Sequence, residues 1–279
     1  MASEKEKGIS IIIYSLDYDE FLEQCAYSVL AQKEMDIDVK VIISHNKMQD
    51  AKNKLSAISP IHFYEVEKGE FGSKIMNILE ECEYDSILFV NSDTVLEGDT
   101  CSRMLKSKSY ADALIFNISV SEKCNNVFEN GLLIENILKN EIENPPVLSM
   151  IYSKYPTIWN HLFSRKKMLN NNLILKNMSR VEQYLFIVKY HSLCKKIAVN
   201  TDIYIYRDRI AEKKPIQYRY FKKNQQEIKS IIEWANKSGN SDCLKILIDD
   251  FVLTPYLESL KRVDMKSKAR LIKNIINIM

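Results

Sequence analysis

Glycine is scarce in this chain, with six in 279 residues, and they form neither a G-x-G-x-x-G nor a Walker loop. A backbone that wraps a pyrophosphate usually relies on such glycines, so a Rossmann dehydrogenase and a P-loop NTPase are not expected. The six cysteines, Cys25, Cys82, Cys101, Cys124, Cys194 and Cys243, contain no C-x-x-C pair and have no histidine at ligand spacing. That argues against a zinc site and a disulfide framework, and reduced, mostly buried thiols are expected. No stretch approaches the ~18 apolar residues of a membrane span. The opening MASEKEKG is charged and runs straight into a strand-like segment, so no secretory signal is read there and a cytoplasmic location is expected. Charge of one sign is also lacking: 39 Lys plus Arg face 37 Asp plus Glu, a formal net charge of +2. Such a balance gives no field that would recruit nucleic acid, and no nucleic-acid partner is expected. What remains is a chain of 46% hydrophobic and 27% charged residues, enough to build a core.

Short apolar runs alternate with helical patterns through the first half, as in a βαβ sheet. Ile9–Tyr14 is short enough for a buried strand. From Asp19 to Ala31 the period changes, and Phe21, Leu22, Cys25, Ala26, Val29 and Leu30 share one helical face. Further strands are predicted at 39–43, 61–66, 86–90 and 113–118, with helices at 73–82 and 99–105. After Ser119 the composition shifts toward Lys, Asn and Glu, and Pro145, Pro146 and Pro156 interrupt the pattern. We therefore divide the chain into 1–118, a second half at 119–215 with a helix at 180–190 and a strand at 203–206, and a C-terminal helical extension at 216–279. Parallel strands joined by helices bury both sheet faces and present ligands to the carboxyl ends of the strands.

On these elements the sequence resembles a family 2 glycosyltransferase of the GT-A fold, over about residues 8–210. ISIIIYSLDYDEFLEQCAYSVLAQ is similar to that family's first strand, nucleotide loop and first helix, closing on Ser28-Val29-Leu30-x-Gln32. Ser86-Ile-Leu-Phe-Val-Asn-Ser-Asp93 resembles the strand that ends in its D-x-D metal motif. Trp159-Asn-His-Leu-Phe-Ser-Arg165 and Tyr204-Ile-Tyr206-Arg207 look like two landmarks of its acceptor lobe, and Glu182 falls where it keeps a Glu-Asp pair. The resemblance implies an α/β fold with a mainly parallel, Rossmann-like sheet flanked by helices. It also implies a nucleotide-sugar donor, a glycan or lipid-linked acceptor, and Mn²⁺ or Mg²⁺.

In such a reaction a nucleotide diphosphate leaves while an acceptor hydroxyl attacks the anomeric carbon, so negative charge builds on the β-phosphate and a cation must meet it. The resemblance makes Asp93 the metal ligand, with Asn91 two residues before it on the same side of an extended segment. Asn-Ser-Asp-Thr is equally ordinary in a strand-ending turn or helix cap. Tyr14, Ser15 and Asp17 fall in the loop implied to meet the base and ribose, and Asp17 or Asp19 is as well suited to capping the next helix. Ser44, Lys74 and Ser92 complete the implied donor contacts. Glu182 is the candidate general base; a Glu in a first helical turn also complements the helix dipole. Trp159, His161 and Arg207 are implied acceptor contacts, against a half-buried core Trp, a surface His and a solvated Arg.

Four positions depart from the family pattern: Ser44 for an Asp at the end of the second strand, Asn91 for the first Asp of D-x-D, Met76 for an Arg ahead of Asn77, and Gln183 for the second acid of the pair. They motivate a second reading, a homologue that binds or scaffolds an active enzyme without turnover. Leu257–Met279 alternates apolar residues with Lys261, Arg262, Lys266, Lys268, Arg270 and Lys273. Such a basic amphipathic segment suits the inner face of an anionic membrane, or a helix docked on its own domain. The helical tail is also a place for a homodimer contact or a glycosyltransferase partner.

Overall fold

The structure is a computed structural model in which residues 8–15, 20–55, 60–67, 70–108, 111–120, 157–207, 228–230 and 232–237 are described. Asp17, Asp19 and the basic C-terminal segment lie outside them, as do the side chains of Tyr204, Tyr206 and Arg207. Two compact units are distinguished: Met1–Glu143 with Thr157–Asn177 and Lys189–Ile210, and Asn144–Pro156 with Met178–Val188 and Ala211–Met279.

The first unit holds an eight-stranded sheet. In chain order its elements are β1 (Gly8–Ser15), α1 (Glu20–Leu30), β2 (Asp36–Ser44), α2 (Met48–Leu55), β3 (Ile61–Val66), α3 (Phe71–Glu81), β4 (Ser86–Asn91), β5 (Thr94–Val95), α4 (Thr100–Lys108) and β6 (Ala113–Val120). A 3₁₀ turn (Ile158–Asn160), β7 (His161–Ser164), α5 (Arg165–Asn170) and β8 (Ile197–Arg207) follow. The strand order is β3-β2-β1-β4-β7-β6-β8-β5. β3, β2, β1 and β4 run parallel. β7 is antiparallel to both β4 and β6, β6 and β8 are parallel, and β5 closes antiparallel on β8. The sheet is mixed, with parallel pairing dominant.

The reason for the parallel half is in the strand composition. Ile9, Ile11, Ile12, Ile13, Val39, Val41, Ile42, Ile43, Leu88, Phe89 and Val90 are all buried, as expected of strands covered on both faces. Alternation sends Ile9, Ile11, Ile13, Val39, Val41, Ile43, Leu88 and Val90 into one cluster with Leu22, Cys25, Ala26 and Val29 of α1. These are four of the six residues whose spacing predicts the apolar face of that helix.

Four elements, α2, β5, β7 and the six-residue α5, are not predicted from the sequence. α2 is polar, burying only Ala51 and Leu55, so its period has two apolar members. β5 and β7 are two and four residues long, too short for a period of two to register. β8 begins at Ile197, six residues before its predicted start. It pairs with β6 up to Asn200 and resumes at Tyr204, and the irregularity between Phe116 and Asn117 breaks the pattern that a sequence reader follows.

In the second unit, α6 (Arg180–Ser192) begins within Met178–Val188 and ends in the first unit. Val181 through Val188 are all buried, so the helix predicted at 180–190 is buried all round over these residues. Helical turns at 228–230 and 232–237 fall within the predicted C-terminal helical extension at 216–279. Among the described residues no helix is long and apolar enough to cross a membrane.

Candidate functional site

The carboxyl ends of β1 and β4 lie side by side, with Tyr14 in register with Asn91. Just past β4 the chain turns: the Ser92 amide donates to the Tyr14 carbonyl at 3.1 Å, and Ser92 and Asp93 are buried at 7% and 6% exposure. Thr94 then pairs with Arg207 and Val95 with Tyr206. The register of two edges thus brings Tyr14, Asn91, Ser92, Asp93 and the backbone of Arg207 to one end of the sheet. Parallel pairing of β1 with β4 closes the gap from Tyr14 to Asn91, and antiparallel pairing of β5 with β8 brings in Arg207.

Aromatic rings line this end. The Tyr14 ring meets Phe71 edge-on at 5.3 Å and lies 6.2 Å from Trp159. Phe71 opens α3, and Gly72 beside it is needed: a Cβ there would stand 2.9 Å from the Lys176 backbone, closer than packed atoms tolerate. Lys74 follows in the same first turn, half-buried. Phe71 is not singled out by sequence reasoning, although an aromatic directly before a helical Gly is a usable signal of close approach. Ser15 is buried at the end of β1. Ser44 ends the neighbouring β2, where its hydroxyl donates to Asn46 Oδ1 at 2.8 Å.

His161 is found in the interior, not at the surface where either sequence reading puts it. It is fully buried, stacked on Phe163 at 5.4 Å and 5.1 Å from His191. Its Nδ1–H donates to the Thr157 carbonyl at 2.8 Å, which fixes the tautomer. Burial pushes its pKa down to about 3, against a smaller rise from the Thr157 hydrogen bond. Burial, then the neighbouring His161, lowers His191 as well. An imidazole so placed is a neutral core group and is not open to an acceptor. Trp159, at 8% exposure, is almost as buried. The adjacent Asn160 is 1% exposed, and neither polar atom of its amide has a hydrogen-bond partner. Nothing in the sequence marks that orphaned amide.

Glu182 belongs to the second unit. It is 2% exposed, and its backbone N–H is capped by Ser179 Oγ at 3.1 Å. Ser179-x-x-Glu182 is the S-x-x-E pattern of a capping box, so the helix-start reading of this Glu has structural support of its own. Gln183 turns its amide back to the Met178 carbonyl at 3.0 Å.

Among the described residues no three His, Cys, Asp or Glu side chains gather as a metal cage. Asp93 with Asn91 supplies one carboxylate and one amide oxygen, a donor set too thin to hold a cation alone. Mg²⁺-type ions that arrive with a diphosphate need only one or two protein carboxylates, the phosphates and water filling the rest. The residues fit a metal of that kind.

No protein-family model and no curated protein sequence matches the chain. Solved structures do. The chain is similar to S. aureus TarS 1–349 in complex with UDP-GlcNAc, with TM-score 0.77 and 16% identity over 97% of this chain and 80% of that one. The fold is GT-A. A mannosyltransferase from Pyrobaculum calidifontis in complex with GDP-Man and Mn²⁺ aligns with TM-score 0.59 and 11% identity, covering 96% of this chain and 79% of its own. Glucosyl-3-phosphoglycerate synthase from Mycobacterium tuberculosis, with Mg²⁺ and UDP, gives 0.51 and 12% over 84% and 80%. At such identities the likeness establishes a GT-A architecture.

Proposed function

We propose that the chain is a metal-dependent, inverting glycosyltransferase that moves a sugar from a nucleotide diphosphate sugar to a glycan or lipid-linked acceptor in bacterial surface polysaccharide synthesis. The observation that carries this reading is the placement of Asp93. A buried carboxylate follows β4 at the carboxyl end of the parallel strands, two residues past the Asn91 that pairs with Tyr14 of β1, in a fold whose similar structures hold UDP-GlcNAc, GDP-Man or UDP. Asp93 and Asn91 would hold the cation, which supplies Lewis acidity at the leaving diphosphate. Tyr14, Phe71 and Trp159 offer apolar ring surface for a base or a sugar face. Ser15, Ser44 and Ser92 offer hydroxyls to the donor, and Lys74 and Arg207 offer positive charge. Asp17 and the basic C-terminal segment keep the roles that the sequence suggests, the latter toward an anionic membrane surface. The acceptor hydroxyl must lose its proton to a carboxylate, and Glu182 holds that role on sequence alone.

A second reading, a scaffold that has kept the fold without turnover, is favoured by one set of positions. Ser44, Met76, Asn91 and Gln183 all stand where the family resemblance implies charge.

A thermal-shift panel of UDP-, GDP-, CDP- and dTDP-sugars with and without Mn²⁺ separates the two, since a ligand of the native state raises the melting temperature. The transferase reading expects a shift with one nucleotide class that requires Mn²⁺ and vanishes in Asp93→Ala. No shift across the panel on folded protein would overturn it in favour of the scaffold.

A further inference from the structure

The segment that carries Asp93 is gripped from both sides by the C-terminal half of α1 and the residues that directly follow it. Cys25 Sγ lies 3.7 Å from the Asn91 carbonyl, two residues before Asp93. Ser28 Oγ donates to the Cys25 carbonyl at 2.8 Å and accepts the Leu96 amide at 3.2 Å, three residues after it. Gln32, 8% exposed, uses both ends of its amide. Nε2 donates to the Ser28 carbonyl at 3.0 Å and the Glu97 carbonyl at 2.6 Å, and Oε1 accepts the Cys101 amide at 2.9 Å. The Lys33 amide closes the set on the Gly98 carbonyl at 2.9 Å.

A loop of this kind has backbone groups that a regular strand or helix would satisfy, and here one side chain satisfies a donor and an acceptor four residues apart. Gln32 is an unusual choice for that task by size alone, since its amide must hold a fixed orientation to present N to Glu97 and O to Cys101. Two grips flanking Asp93, from one rigid helix, fix where its carboxylate stands relative to β1.

We infer that Gln32, assisted by Ser28, is a positioning residue: it holds the Asn91–Cys101 segment so that Asp93 meets a diphosphate-bound cation. The inference rests on the proposed transferase reading and extends it to residues that touch neither donor nor metal. Residues that orient a metal ligand typically cost ~10–100-fold in metal affinity when removed.

The test compares Gln32→Ala, Gln32→Glu and Ser28→Ala with Ser10→Ala, whose lost hydrogen bonds lie at the opposite end of the same strands. UDP and GDP affinity is measured with and without Mn²⁺ on the full chain, with amide hydrogen exchange of residues 91–101. In Gln32→Ala the Mn²⁺-dependent gain in affinity is expected to fall ~10-fold while metal-free affinity holds, and exchange at Leu96 and Cys101 to quicken. Gln32→Glu keeps the acceptor for Cys101 and loses the donor to Glu97, and so should fall between. Ser10→Ala should leave the Mn²⁺-dependent gain unchanged. A folded Gln32→Ala with the wild-type Mn²⁺ gain overturns the inference alone, as does an equal loss in Ser10→Ala. A wild type that binds neither nucleotide under any metal overturns the transferase reading and the inference with it.

Discussion

The two ends of the parallel strands treat buried polar groups differently. At the amino end Asp38 and Lys40, both almost fully buried, meet at 2.8 Å. Asp38 also accepts from Ser10 Oγ at 2.8 Å and from the Glu83 amide at 3.1 Å, and Ser10 in turn accepts the Tyr84 amide at 3.1 Å. Lys108, buried at the start of β4, donates to Ser86 Oγ and the Phe163 carbonyl, while burial draws its pKa down to about 8. At the carboxyl end, Asn160 and the Thr94 hydroxyl are buried as deeply without a hydrogen-bond partner. The amino end closes most of its polar groups on one another, with the Nε of Arg165 left over; the carboxyl end leaves a whole amide and a hydroxyl open. A buried amide left unmade costs stability, and proteins accept such costs mainly where a ligand later fills the need.

The largest effect should come from breaking the closed end. Asp38→Ala strands a buried ammonium and removes the acceptor of Ser10 and Glu83, which should cost about 3–5 kcal/mol in urea denaturation. The double variant Asp38→Asn with Lys40→Met removes both charges and should recover most of it. Neither should alter nucleotide binding by the protein that stays folded. A loss of binding in the double variant would end the division of labour between the two ends.

The next effect is a pH dependence. His161 and His191 are neutral in the fold because burial holds their pKa values below the usual 6.5. Above 6.5 both folded and unfolded forms are neutral, and the stability is complete. As pH falls from 6.5 toward about 3, the unfolded chain takes up protons that the folded chain refuses, and stability drains at about 1.4 kcal/mol per pH unit for each histidine. His161→Gln keeps a donor for the Thr157 carbonyl and cannot titrate. Its stability should therefore fall less steeply than wild type between pH 6.5 and 4.5, by about 2–3 kcal/mol over that window. Parallel curves would mean that His161 is not neutral in the fold.

The sequence was legible where physics acts locally. Continuous apolar runs announce β1, β2 and β4, and a 3.6-residue period announces α1, because burial on both sheet faces and on one helix face leaves those signatures. The order of the strands was not legible, nor the antiparallel β7 between β4 and β6, since four residues carry no period. Asp93 could be placed from its position after an apolar strand, whereas Tyr14 beside Asn91 emerges only from the register of β1 with β4. His161 could not, because its depth comes from Phe163 and His191, the latter 30 residues away. Phe71 and the Gln32 grip share that difficulty: both depend on contacts between elements, and each residue alone is unremarkable.

The smallest effect, and the one that bears most directly on the contrast between the ends, is expected at Asn160. Leu has the same branched heavy-atom skeleton as Asn and asks for no hydrogen bonds, although its two methyls are bulkier than the amide. Asn160→Leu removes a buried amide whose oxygen and nitrogen both lack partners, so it should stabilise the protein by about 1 kcal/mol, read as a higher urea midpoint. The natural choice of Asn at that cost then needs a use for it, and its neighbours Trp159 and Tyr14 stand at the proposed donor site. If the variant gains stability and loses the nucleotide-dependent thermal shift, the open end is held open for a ligand. If it gains stability and keeps the shift, Asn160 is a defect that the fold tolerates. If it loses more than the ~1–3 kcal/mol that the bulkier methyls cost by overpacking, the amide is satisfied in solution by water, and the asymmetry between the two ends is smaller than its hydrogen bonds suggest.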